Sequence, residues 1–251
     1  LDLHEVPLTI PGLPRAFDGF RMAQISDMHA GPNVPMDYLA RVIGRVNDAA
    51  PDLVVVTGDI VNHSLEAVAP SARLLGTLRA PVIVIFGNHD YSRRGARPGG
   101  STEIANPLEA ALNEAGCAVL RNRSDPLERD GATIYFAGLE DYWSAFYSPR
   151  AAFDGLDPSQ TIICLSHNPD SVASVAPLGP RLILSGHTHG GQVRVPFLGA
   201  PILPTNNRKY DQGLFDVGGG VQLYVSRGVG FLARVRFCCR PEVPIFKLTA
   251  A

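Results

Sequence analysis

Two hydrophobic patterns alternate along the chain. Short apolar runs bounded by Gly, Asp or Ser read as buried strands at Phe20–Ile25, Leu53–Val56 and Val82–Phe86. Between them lie segments with apolar residues every three or four positions. Met36–Ala49 places Leu39, Val42, Ile43 and Val46 on one helical face, with Pro35 near its first turn. Leu65–Leu78 reads as a helix interrupted or restarted at Pro70, and Pro107–Ala115 as a helix closed by Gly116. The second half carries shorter strands at Ala132–Ala137, Thr161–Leu165, Leu182–Leu184, Val221–Val225 and Arg234–Phe237, with a short helix after Asn168. This alternation predicts an α/β fold with mixed rather than purely parallel sheets. No segment reads as a linker, so residues 1–251 are expected to form a single domain.

Composition narrows the function. An apolar content of 45% is enough to offset the entropy of ordering, which excludes a disordered chain. A net charge of −2 lacks the basic footprint of a general nucleic-acid binder, so no nucleic-acid partner is expected. Cys117, Cys164, Cys238 and Cys239 form no CxxC pair, which argues against a thiolate zinc site and against a disulfide framework. No apolar run approaches the roughly 18 residues of a membrane span. The chain opens on Leu1 rather than Met, and an upstream segment is expected to have been removed, a signal or anchor being one alternative.

The polar residues of interest gather at the ends of the apolar runs. Asp27 and His29 follow the first strand, Asp59 the second, and Asn88, His89 and Asp90 the third. His167 follows the Thr161–Leu165 run, and His187 and His189 follow Leu182–Leu184. Open α/β sheets bind ligands beyond the carboxyl ends of their strands. One Gly-Asp, or one histidine after a strand, is ordinarily a turn. Five strand ends so furnished, holding five of the seven histidines, point to divalent metal chemistry.

Asp27-Met28-His29, Gly58-Asp59, Gly87-Asn88-His89-Asp90, His167 and Gly186-His187-Thr188-His189 resemble, in order, the signature of the calcineurin-like metallophosphoesterases. The longer Gly186–Gln192 string, and Ser226–Gly230 followed by Pro241-Glu242, are similar to the bacterial YkuE and YaeI branch, one relative of which is a UDP-diacylglucosamine pyrophosphatase. The resemblance implies a four-layer αββα sandwich with two mixed β-sheets. It also implies two divalent metal ions, Mn foremost, with Fe, Zn or Mg as alternatives. Asp27, His29 and His189 would hold the first metal and Asn88, His167 and His187 the second, with Asp59 bridging. A hydroxide between the metals would attack a phosphodiester or pyrophosphate. His89 would act as acid or transition-state donor.

Asp90 would either orient the His89 imidazole or cap a helix. Arg93, Arg94 and Arg97 would either grip a substrate phosphate or belong to a solvated loop, and His63 would face either substrate or solvent. The expected partner is a phosphoester, lipid-linked or nucleotide-linked, with peripheral membrane contact. The expected location is the bacterial cell envelope, with a cytoplasmic alternative. The rival functions are a general phosphomonoesterase, a non-catalytic module on the same fold, and a nuclease. The basic stretch Arg227–Lys247, with Phe231 and Leu232 in a turn, is expected to help dock the protein on lipid.

Overall fold

The computed structural model describes residues 1–95 and 97–251. In chain order its elements are β1 (Asp2–Ile10), β2 (Arg21–Ile25), α1 (Met36–Ala49), β3 (Leu53–Thr57), α2 (Val68–Leu75), β4 (Val82–Ile85), α3 (Ala105–Glu114), β5 (Ala118–Val119), β6 (Arg123–Arg129), β7 (Ala132–Gly138), α4 (Pro149–Ala152), β8 (Ile162–Leu165), α5 (Val172–Val175), β9 (Leu182–Ser185), β10 (Gly213–Gly218), β11 (Val221–Val225) and β12 (Glu242–Ala250). They build two six-stranded sheets, ordered β1-β12-β2-β3-β4-β5 and β10-β11-β9-β8-β7-β6. Both are mixed. β2 to β5 run parallel, as do β7, β8, β9 and β11, while β12 opposes β2, β10 opposes β11 and β6 opposes β7.

Three apolar clusters make the layers. α1, α2 and α3 cover the outer face of the first sheet through Leu39, Val42, Ile43, Val68, Leu75 and Leu108. Side chains of both sheets meet between them, with Val55, Ile83 and Phe246 against Phe136, Ile163 and Leu184. Cys164, Val172, Ile183 and Leu223 form the outer layer of the second sheet. The result is a helix–sheet–sheet–helix sandwich. The central strands are buried on both faces and therefore read as unbroken apolar runs.

Proline placement follows from backbone hydrogen bonding. Pro70 sits in the first turn of α2, where a missing N–H costs nothing, so α2 is shorter than the pattern predicts but is not broken. Pro7 lies on the edge strand β1. Pro244 lies in interior strand β12, yet the pairing of β12 with β2 covers only Ile245 to Lys247, so Pro244 is outside that ladder. The predicted strand Arg234–Phe237 does not form. The segment makes a single bridge, between Phe237 and Val193, and Val235 and Phe237 are exposed while Arg236 turns inward. Among the described residues no helix is long and apolar enough to cross a membrane.

The two layers approach closely at the end of β7. A Cβ on Gly138 would overlap the Leu120 Cβ and lie 2.8 Å from Ile85 Cγ2. Gly138→Ala is therefore expected to destabilise the fold by about 1–3 kcal/mol through overpacking, measured by urea unfolding. An unchanged midpoint would show that the two sheets can yield there.

Candidate metal centre

Each predicted ligand lies just beyond a strand's carboxyl end. Asp27 and His29 follow β2, Asp59 follows β3, and Asn88 opens the single 3-10 turn Asn88–Asp90 after β4. These come from the first sheet. His167 follows β8, and His187 and His189 follow β9, from the second sheet. The backbone reverses sharply to aim these side chains inward. Asp27 (φ 54°), His29 (47°), Asp59 (53°), His187 (68°) and His189 (52°) all occupy the left-handed region. Such a backbone costs a non-glycine residue on the order of 1–3 kcal/mol and persists only where its surroundings hold it. Here Asp27 N–H donates to Gly58 O at 3.0 Å and His29 N–H to Asp59 O at 2.9 Å, tying the β2 loop to the β3 loop.

The side chains converge on one oxygen. Asp59 Oδ1 accepts the His89 backbone N–H at 2.9 Å. Asp59 Oδ2 lies 3.4 Å from His29 Nε2 and 3.2 Å from His167 Nε2. On the His29 side, His189 Nε2 is 3.0 Å from His29 Nε2 and 3.3 Å from Asp27 Oδ1. On the other side, His187 Nδ1 is 3.3 Å from His167 Nε2. Outer contacts orient the rings. His167 Nδ1 donates to Thr57 O at 2.7 Å and His187 Nε2 to Pro204 O at 3.0 Å, which leaves the opposite ring nitrogens to face the cluster.

This donor set fits divalent cations. The ligand atoms of Asp27, His29 and His189 lie within 4.8 Å of one another, as do those of Asp59, His167 and His187. Asn88 Oδ1 is buried without a hydrogen-bond partner. Nitrogen and oxygen donors crowded in this way, with no thiolate among them, suit borderline first-row ions.

Burial and mutual charge set the protonation of the metal-free cluster. Burial pushes the Asp27 carboxyl up to about 6, against the pull of His167. Burial would raise Asp59 as well, but the imidazoles of His167 and His89 outweigh it and hold the carboxyl well below its ordinary range. Burial disfavours a charged His167, yet Asp59 outweighs it and lifts the imidazole to about 10. Asp59 and His167 thus form an ion pair. Burial holds His29 and His187 down to about 3 and His189 well below its ordinary value, so these three are neutral.

The remaining sequence candidates divide. His89 is buried at the cluster, with its ring centroid 4.7 Å from that of His29, and its Nδ1 lies 2.8 Å from Asn62 Oδ1. Asp90 does not orient this imidazole. Its carboxylate accepts from Val61 N–H and Gly87 N–H, both at 2.9 Å, and so ties the 3-10 turn to its neighbours. Arg93 lies 3.5 Å from Glu66 on the surface, and no contact among the described residues brings it or Arg94 to the cluster. Arg97 lies over the Trp143 ring at 5.0 Å, and Trp143 meets His187 edge-on at 4.6 Å. His63 is not a simple surface residue: its ring lies 4.0 Å from that of His89. Asn62 and Trp143 belong to none of the motifs in the sequence. The single tryptophan of the chain, in a polar loop, was the available signal for one of them.

With this geometry in place, the class follows. The chain belongs to the calcineurin-like phosphoesterase family, whose pattern matches residues 20–191, and it is a metal-dependent phosphoesterase. It is 34% identical over 245 residues to YkuE of Bacillus subtilis, an uncharacterized metallophosphoesterase, covering 94% of this chain and 81% of that one. It is 32% identical to the phosphodiesterase YaeI of Escherichia coli, over 91% of this chain and 82% of the relative. It is 29% identical to the UDP-2,3-diacylglucosamine pyrophosphatase LpxG of Chlamydia trachomatis, over 94% and 86%. Two solved structures share the fold at low identity. Phosphopantetheinyl hydrolase of Mycobacterium tuberculosis has a TM-score of 0.54 at 14% identity, covering 86% of this chain and 91% of that one. TT1561 of Thermus thermophilus has a TM-score of 0.56 at 10% identity, covering 83% and 89%.

Because Asp59 and His167 hold a proton between them, metal loading at neutral pH is expected to release it. Titration calorimetry with Mn²⁺ in buffers of different ionisation enthalpy should report about one proton or more per chain. Asp59→Asn should weaken metal binding overall and not at one site alone. Buffer-independent heats, or full metal content in Asp59→Asn, would contradict this assignment.

Proposed function

We propose that this phosphoesterase cleaves phosphodiester or pyrophosphate bonds, with lipid-linked or nucleotide-linked substrates as its natural class. The observation that carries the proposal is the position of Asp59 Oδ2 between His29 and His167, one oxygen facing two donor sets. On this reading Asp27, His29 and His189 hold one divalent ion, Asn88, His167 and His187 hold a second, and Asp59 serves both. The nitrogen and oxygen donors admit Mn, Fe or Zn, and manganese is placed first on the family resemblance alone. Two such cations supply Lewis acidity to phosphate oxygens and lower the pKa of water.

The chain's own residues do the rest. His89 stands beside the cluster, and Asn62 fixes its Nδ1, leaving Nε2 to face the reacting phosphoryl group. Burial lowers the proton affinity of His89 against the pull of Asp59. Bound divalent ions would lower it further, and an anionic phosphoester brought against Nε2 would raise it, so on this reading His89 takes up its second proton only with substrate bound. His89 then donates it to the leaving oxygen. Arg97 lies over Trp143, whose ring meets His187, and on this reading it binds an outer phosphate of the substrate. The likeness to a protein named phosphodiesterase and to another named UDP-2,3-diacylglucosamine pyrophosphatase supports diester and pyrophosphate substrates over simple monoesters, and the second supports a lipid moiety.

His89→Gln is expected to retain both metals and lose roughly 10²–10⁴-fold in kcat. The loss should shrink as the leaving group improves. Asn62→Ala should lose less, because it removes only the positioning of the ring. The substrate class is read from metal-loaded protein on bis-p-nitrophenyl phosphate, p-nitrophenyl phosphate, a UDP-linked sugar and a UDP-linked diacyl sugar. Faster turnover of the monoester than of every diester and pyrophosphate would replace this reading with a general phosphomonoesterase.

A further inference from the structure

Among the described residues nine large apolar side chains are exposed, and seven of them lie on two adjoining loops: Val195, Phe197, Leu198 and Ile202 on one, and Leu232, Val235 and Phe237 on the other. The loops are joined by backbone hydrogen bonds, Arg194 N–H to Phe237 O and Phe237 N–H to Gln192 O, each 2.9 Å. They therefore form one platform. The first loop continues directly from His189, and Arg236 in the second approaches His189 Nδ1 at 3.4 Å, so the platform borders the metal centre. Phe197 is fully exposed and Leu198 is 83% exposed. A concentration of this kind is uncommon on a soluble surface and marks a site of contact.

The second loop is arranged against an aqueous environment. In Val235-Arg236-Phe237 the two apolar side chains point out while the arginine points in, where it donates to the carbonyls of Arg227 at 2.8 Å and Gly230 at 2.6 Å. Phe231, expected from the sequence to be an outer contact, instead packs on the core beneath α1 and lines a cavity of about 440 Å³ together with Tyr38, Arg234 and Val235. Charge supplies the second half of the pattern. Residues 192–209 and 228–241 contain no Asp or Glu. Arg208, Lys209, Arg234 and Arg240 are exposed there, with Arg208 donating to Ala200 O at 2.7 Å at the base of the first loop.

We propose that these two loops dock the protein on the surface of an anionic lipid bilayer, with Phe197, Leu198 and Ile202 entering the acyl boundary and the four cations meeting the headgroups. An apolar tip on two loops that carry four exposed cations and no acid of their own is complementary to such a surface, with Asp170 and Asp211 engaged at the base of the first loop by the Asn206 and Asn207 amides and by Arg194, whereas a second copy of the same platform would oppose cation to cation. The docking places the metal centre beside the headgroup layer. It stands apart from the choice of substrate, because binding is measured without catalysis.

The test is flotation of the full chain with vesicles of equal parts phosphatidylglycerol and phosphatidylcholine, and with phosphatidylcholine alone. The protein should float with the anionic vesicles and float less with the neutral ones. Phe197→Ser with Leu198→Ser should lower binding by roughly tenfold or more. Arg234→Glu should lower it several-fold, on anionic vesicles only. Neither should change the melting temperature or the hydrolysis of bis-p-nitrophenyl phosphate. If the double variant fails to fold, Ile202→Ser carries the same expectation in the same assay. The proposal is overturned if wild type ignores anionic vesicles, if the apolar variants bind as wild type does, or if the variants instead dissolve a dimer seen by light scattering.

Discussion

One hydrogen bond holds the centre in place: the His89 backbone N–H donating to Asp59 Oδ1. It spends one carboxylate oxygen on the protein and turns the other toward both donor sets. The bond requires the β3 and β4 loops to touch. Gly87 makes that possible, since a Cβ there would overlap Asp59 Oδ1 and lie 2.6 Å from the Asp59 backbone nitrogen. Asp90 reinforces the contact from the far side through Gly87 and Val61. The Gly-Asn-His-Asp motif is thus mostly backbone engineering. Its glycine admits a neighbour, its asparagine presents an unpartnered oxygen, its histidine supplies both an amide and an imidazole, and its aspartate fastens the turn.

The two sheets set the other half of the geometry. Five strands deliver their ligands from parallel carboxyl ends, three from one sheet and two from the other, and only a face-to-face sandwich brings those ends within reach. The left-handed residues are the local consequence. A strand that stops and reverses within two residues has few other backbone options, and the energy of those turns is offset by packing that buries nearly every ligand.

How much of this was legible depended on burial. β3, β4, β8 and β9 are buried on both faces, so their apolar runs stand out without any knowledge of the fold. The ligands stood out because histidines rarely follow so many such runs. β1, the two-residue β5, β6, β10 and β12 do not stand out as strands in the sequence. β1, β6 and β10 have one exposed face or lie toward a sheet edge, and β1, β6 and β12 contain a proline whose tolerance depends on where the ladder ends. The sequence of Val235–Phe237 alternates as a strand would, but alternation does not say which face meets water, and here the arginine is the inner residue. Asn62 was invisible for a related reason: it lies in the same turn as Asp59, and only the fold brings its amide to the His89 ring across a separation of 27 residues.

Charge links the centre to its substrate on the proposed reading. Among the seven donors only Asp27 and Asp59 are carboxylates, and two carboxylates do not neutralise two divalent cations. The neutral Asn88 in place of a third acid leaves the site electropositive. The near side of the second loop adds to this, because Arg236 lies 3.4 Å from His189 and, after burial and His29, lowers that imidazole's proton affinity further. A neutral His189 is the form that can act as a ligand. The arginine is tolerated so close to two cations because backbone carbonyls of residues 227 to 239 surround its guanidinium and carry the opposing dipoles. An anionic phosphoester entering this field meets excess positive charge at the centre, beside a loop whose outer face is apolar.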